Sequence, residues 1–215
     1  MGTIGYLHTS PVHVPTFDRL TQEHSAEAKT LHVVDEDALT LARAASPSAV
    51  AEVVAAHVRD LRERGADVIV CTCSTIGAIA EGLRAEPKVL RVDRPMARRA
   101  VALGARVGVV VALESTVQPT VDLLREEAAV AGREIEVLVE LAEDAWDLFE
   151  KGDHAAYLTV VAETARDVAA RADVVVLAQA SMLGALDLLR DLAVPALASP
   201  TTAVDHAAAM VDAST

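Results

Sequence analysis

Short runs of branched apolar residues recur along this chain between longer Ala-, Leu- and Glu-rich stretches, and that alternation leaves few folds open to it. Runs such as "VIV" (68–70), "VGVVVA" (107–112) and "VVVL" (174–177) are apolar at consecutive positions, with no polar residue at every second one. A strand written this way is covered on both faces, which is the situation of a parallel sheet with helices above and below it. The pattern predicts strands over 3–8, 31–35, 67–72, 89–92, 107–112, 135–140, 173–178 and 195–198. Helices are predicted over 48–64, 75–85, 95–103, 116–131, 154–171, 182–191 and 201–212.

These strands fall into two sets of four that resemble each other. "TIGYLHTS" (3–10) opens the first set and "RVGVVVALEST" (106–116) the second, each passing from a strand straight into hydroxyl residues. Further on, "DVIVCTCSTIG" (67–77) matches "DVVVLAQASMLG" (173–184): an Asp, branched apolar residues, a polar turn, then a helix. The expected fold is therefore α/β, with two pseudo-symmetric αβα lobes, each holding a four-stranded parallel sheet. Residues 1–93 with 200–215 form the expected first lobe and 94–199 the second, the helix after "SPTTAV" returning to the first. Ligands of open parallel sheets bind beyond the carboxyl ends of the strands, so a cleft between the lobes is the expected active site.

At 215 residues with a formal charge of −13, the chain is long enough for a proper core and carries a solvated acidic surface. Nucleic acid is excluded as a partner by the lack of a basic patch. No run of about 18 apolar residues is present to span a membrane, and "MGTIGYLHTS" lacks the basic and long apolar regions of a signal peptide. A cytoplasmic protein is expected. Its two cysteines, Cys71 and Cys73, stand at C-x-C spacing, a poor disulfide framework and an incomplete zinc site, so free thiols and no metal are expected.

Cys71 falls within a strand and reads as a core residue. Cys73 leaves that strand just as the next helix begins, where unpaired N–H groups and the positive end of the helix dipole favour an anion. Ser74 and Thr75 are N-cap types whose hydroxyls suit a carboxylate or an oxyanion as well as a cap. A small buried cysteine beside two helix caps is the plainer reading of the same residues.

The two matched segments resemble the signature segments of the aspartate/glutamate racemase superfamily, whose members include hydantoin racemase, maleate isomerase and arylmalonate decarboxylase. The likeness extends to "HTSP" after the first strand, "DRPMARRAV" (93–101), "TVQPTVDLL" (116–124) and "LFEKGDH" (148–154). It implies a cofactor-independent enzyme that takes a small carboxylate-bearing substrate, and a homodimer as the assembly common among such enzymes.

Racemases of this family use one cysteine from each lobe on opposite faces of the substrate's α-carbon. Cys73 matches the first, in a "CST" that resembles the family's "C-N-T", whereas Gln179 stands at the second. An amide neither takes nor gives a proton at neutral pH. The resemblance implies Cys73 as the catalytic residue and Ser10, Ser74, Thr75, Thr116, Gln179 and Ser181 as substrate-binding groups. His8, at the end of the first strand, is the candidate to replace the missing acid or base. A racemase or isomerase is the first reading; a one-sided lyase or decarboxylase of the arylmalonate type and a non-catalytic carboxylate-binding relative are the alternatives.

Overall fold

Consecutive apolar residues can all be buried only where helices cover both faces of a sheet, and the computed structural model resolves the chain in that way, describing residues 2–44, 47–83, 86 and 88–213. By internal packing the chain divides into two units, Met1–Val92 with Pro200–Thr215, and Asp93–Ser199.

In the first unit, β1 (Thr3–His8) leads through a 3-10 turn (Pro11–His13) into α1 (Val14–His24) and β2 (Lys29–Val34). Then follow α2 (Asp37–Ala44), α3 (Pro47–Glu63), β3 (Val68–Cys71), α4 (Ser74–Gly82) and β4 (Val89–Arg91). The second unit holds α5 (Arg94–Leu103), β5 (Arg106–Val111), a 3-10 turn (Glu114–Thr116), α6 (Val117–Ala131) and β6 (Glu136–Leu141). It continues with α7 (Ala145–Glu150), α8 (His154–Ala169), β7 (Val174–Leu177), a 3-10 helix (Ala180–Leu189) and β8 (Ala196–Ala198). The final helix, α9 (Ser199–Ala213), counts with the first unit from Pro200 on, and its Asp205 pairs with His24 of α1.

The strand orders are β2-β1-β3-β4 and β6-β5-β7-β8, every pairing parallel. The fold is α/β with two four-stranded parallel sheets of one topology, as the repeated segments predict. In the second unit alternate strand residues feed opposite layers. Val107, Val109, Val111, Val174 and Val176 pack with α5 and α6, while Val110, Val175 and Leu177 pack with α8 and the 3-10 helix. Burying each such side chain stabilises by roughly 1.5–3 kcal/mol.

Two further features repeat. Gly5 and Gly108 occupy matching places in β1 and β5; an added Cβ would come within 3.0 Å of Ala66 at the first and 2.9 Å of Val168 at the second. Asp67 accepts a hydrogen bond from the Thr3 N–H, 2.8 Å, and Asp173 accepts from the N–H groups of Ala105 and Arg106, 3.1 and 2.8 Å. In each unit an aspartate entering the third strand thus holds the start of the first.

Three helices were not predicted. α1 carries Pro15 in its first turn, a position proline tolerates, though it reads as a breaker in sequence. α2 is short and held by Asp35, which accepts from the Ala38 N–H at 3.0 Å and pairs with His57 of α3 at 2.6 Å. α7 has six residues and is entered through Asp144 in the left-handed region, φ 59°. The helix predicted over 75–85 ends at Gly82, and its positions 84 and 85 lie outside the described residues.

The helix predicted over 182–191 is a 3-10 helix, and its residues repeat in threes. Ala180, Leu183, Leu186 and Leu189 form one inward row beside Met182 and Ala185, while Ser181, Gly184, Asp187 and Arg190 form the row most open to solvent. A period of three matches three residues per turn.

His8 is completely buried, facing α1 beside Tyr6, His32 and Phe17. Although burial opposes it, hydrogen bonds from Thr30 and His32 hold the Asp18 carboxyl below its ordinary range, so Asp18 is an acceptor. His32 Nε2 therefore donates to Asp18 (2.9 Å), and His32 Nδ1 lies within hydrogen-bond distance of His8 Nε2 (2.9 Å). His8 Nδ1 lies 2.9 Å from the Thr72 hydroxyl, which itself donates to the Leu7 carbonyl at 3.2 Å. Both ring nitrogens of His8, the expected second acid or base, are thus hydrogen-bonded within the core, and the residue has no exposed surface.

Burial, reinforced by the neighbouring His32 and His13, pushes the His8 pKa down to about 3 from 6.5. Between these values the unfolded chain binds a proton that the folded chain refuses, so stability falls as pH drops through the window. Urea unfolding should show a loss of about 2 kcal/mol from pH 7 to pH 5 from this group. His8→Gln should be less stable at pH 7 yet flatter with pH; equal slopes would contradict the assignment. Thermal unfolding of Asp67→Ala and Asp173→Ala should show the larger loss in Asp173→Ala, which strands two backbone donors where Asp67→Ala strands one.

Candidate active site

Both sheets end their third strand in the same way. After β3 the chain passes through Thr72 to Cys73, whose extended backbone (φ −106°, ψ 118°) places it at the N-cap of α4. After β7 it passes through Ala178 to Gln179, equally extended (φ −119°, ψ 141°) at the N-cap of the 3-10 helix. Neither side chain caps its own helix.

In the first unit Cys71 is buried and Cys73 half-buried, both as free thiols. Cys73 packs at the margin of the core cluster formed by Leu7, Ile69, Cys71 and Ile76, and the Cys71 thiol lies 3.8 Å from the Cys73 carbonyl. Thr72, braced by His8 and Leu7, fixes the corner without using the Cys73 side chain. Ser74 is buried and Thr75 half-buried in the first turn of α4. Ser10 heads the 3-10 turn after β1, extended and half-buried, with no side-chain capping bond. Because β1 and β3 are paired and parallel, Ser10 and Cys73–Thr75 lie at one sheet edge.

In the second unit the Gln179 Oε1 accepts the Ala112 N–H at 2.6 Å. Since a backbone N–H can only donate, the amide's orientation is settled: Oε1 faces the end of β5, and Nε2 carries what donor capacity remains. The Ser181 hydroxyl lies 2.7 Å from that of Tyr157 on α8. Thr116 is buried at the N-cap of α6 without a side-chain cap, and its carbonyl accepts from the Thr120 hydroxyl at 2.9 Å. Thr116 and Gln179–Ser181 thus share the carboxyl edge of the second sheet through the parallel pair β5–β7. A depression of about 280 Å³ opens at that edge, lined by Ala112, Leu113, Glu114, Leu141, Ala142 and Trp146 among others.

Sequence reasoning missed Tyr157 and the depression. Tyr157 stands in the apolar stripe of α8, where a buried phenol's need for a partner is the only signal; the depression is made by backbone ends, which leave no residue pattern. Among the described residues no group of three or more His, Cys, Asp or Glu is arranged to hold a metal ion. No helix among them is long and apolar enough to cross a membrane.

A family model for Asp/Glu/hydantoin racemases matches residues 4–207. Among solved structures, a glutamate racemase isoform from Bacillus anthracis is similar with a TM-score of 0.77 and 16% identity, over 99% of this chain and 82% of that one. An aspartate racemase from Picrophilus torridus gives 0.76 and 14%, over 97% and 95%. An allantoin racemase from Klebsiella pneumoniae gives 0.71 and 20%, over 100% and 89%. No curated protein sequence matches significantly. These structural likenesses establish the fold, and with the family match over nearly the whole length they lead to one assignment: the chain belongs to the Asp/Glu/hydantoin racemase family.

Proposed function

We propose that this racemase-family chain is a cofactor-independent enzyme acting at a carbon next to a carboxylate or carbonyl, with Cys73 as the group that moves the proton. The observation that carries the reading is a half-buried free thiol at the mouth of α4, on a corner braced by other residues, with Ser74 and Thr75 beside it. In the forward step the Cys73 thiolate takes the α-proton, and the electron pair moves into the adjacent carbonyl to give an enediolate. Return of a proton to the α-carbon completes the turnover. Ser10, Ser74, Thr75 and Thr116 are proposed to bind the substrate's oxygens. A cytoplasmic location belongs to the same reading, since a working thiol needs a reducing compartment.

The orientation of Gln179 favours a second reading. With Oε1 bonded to Ala112, the residue offers hydrogen-bond donors and no proton carrier. A one-sided lyase fits this. The bond from the α-carbon to a carboxylate breaks, carbon dioxide leaves, the electron pair stays as the enediolate, and the Cys73 thiol protonates one face.

Proton NMR in D₂O, with wild type and Cys73→Ser against amino acids, hydantoins, 2-hydroxy acids and substituted malonates, tests both readings. Cys73-dependent deuterium at the α-carbon with both enantiomers appearing supports the racemase. Deuterium in one hand only, and only with loss of carbon dioxide, supports the lyase. Exchange in Cys73→Ser at the wild-type rate contradicts both, and none in either protein contradicts both and leaves a carboxylate-binding relative.

A further inference from the structure

The depression at the carboxyl edge of the second sheet holds about 280 Å³, less than the roughly 300–1,000 Å³ that encloses a whole small ligand, so it is sized for one part of a molecule. Strand ends line it, among them the buried Ala112 and Ala142, and its wall includes Trp146, the chain's only tryptophan. That ring is held in place: it stacks on Phe149 with centroids 4.9 Å apart, and its Nε1–H donates to Glu150 at 2.7 Å. Ala112 also donates its N–H to Gln179 Oε1 at 2.6 Å, so the depression adjoins the corner of the second unit that the proposed chemistry assigns to the substrate.

Four carboxylates line the same depression, Glu114, Glu143, Asp144 and Asp147, and no basic residue does. Neighbouring carboxylates outside it are matched, Glu140 by Arg171 and Glu150 by the Trp146 indole. The four inside have neither an ion pair nor a side-chain hydrogen bond among the described residues. Nor do they converge as a metal site does, since among those residues no group of three or more His, Cys, Asp or Glu could hold a metal ion. Spread carboxylates around an aromatic and apolar surface suit a cation whose charge sits on an organic group, the ring adding its own attraction to the field of the charges. An anionic group is repelled from the same surface.

We propose that this depression is a binding site for an organic cation, an ammonium or guanidinium group, and that the cation is the side group of the substrate. The proposal rests on the α-carbon chemistry above and narrows its substrate class: beside the reacting carboxylate or carbonyl, the molecule carries a positive charge at a distance from the reacting carbon. The carboxylates supply the field, and Trp146 with the strand ends supplies the apolar contact that a neutral or purely ionic partner would not use in full.

Because Trp146 is the only tryptophan, ¹⁵N-labelled full-length protein gives a single indole N–H signal. The test follows that signal as n-butylammonium chloride is added, against n-butanol and against sodium chloride at equal ionic strength. The expected result is a saturable shift with butylammonium and none with butanol or sodium. Combining Glu143→Gln with Asp147→Asn, both at exposed positions, should require about fivefold more butylammonium for the same shift. An indole signal unmoved by butylammonium, one moved equally by butanol or sodium, or a double variant that titrates like wild type would overturn the site. Butylammonium should also slow the Cys73-dependent exchange of any compound that turns over; exchange indifferent to it would overturn the assignment to the substrate. A saturable indole shift without Cys73-dependent exchange would retain the cation site and reject the thiol chemistry, whereas exchange with a silent indole would do the reverse.

Discussion

A parallel strand buried on both faces must release its chain at the sheet's carboxyl edge, and the helix that follows begins with N–H groups that have no partner of their own. That corner is the constraint on which this structure depends. It occurs after β3 and again after β7, and each time one side chain stands at the N-cap in extended conformation. What occupies the corner, and what holds it still, decides the chemistry each unit can offer.

The two corners are braced by different means. In the first, the Thr72 hydroxyl bonds His8, and the chain of bonds runs on through His32 to Asp18. Because this brace lies beneath the corner, the Cys73 side chain is spared. In the second unit the places of His8 and Thr72 are taken by Val111 and Ala178, whose side chains carry no hydrogen-bonding group. There the N-cap residue supplies the brace itself, Gln179 folding its carbonyl oxygen back onto the Ala112 N–H. The duplicated elements Gly5 and Gly108, and Asp67 and Asp173, keep the frame alike while the corners diverge. One frame therefore carries a thiol on one edge and a fixed amide on the other.

The strands were legible because continuous apolar runs between turns have few other uses, and the repeated Asp-led segments carried the duplication. Much of the helix set was legible for the same reason. α1 was hidden by Pro15 in its first turn, and α2 and α7 are too short to show a period, being held by Asp35 and by a left-handed Asp144. The three-residue repeat of Ala180–Leu189 was present in the sequence but resembles a loose helical stripe when read with a period of 3.6. Cys73 and Gln179 could be placed at strand ends from sequence. The direction of the Gln179 amide, the hydroxyl partner of Tyr157 and the side-chain partner of His8 are long-range pairings, settled by neighbours 67, 24 and 64 residues away respectively.

The account turns on Cys73 being an accessible thiol at a site that binds carboxylates, beside a Cys71 that is core. Mass-spectrometric timing of iodoacetamide alkylation at each cysteine, across pH and with or without malonate, tests this most directly. The predicted result is rapid modification of Cys73, slowed by malonate, with Cys71 spared while the protein stays folded. Modification of Cys73 no faster than that of a free thiol and indifferent to malonate, or modification of both cysteines at one rate, would contradict it.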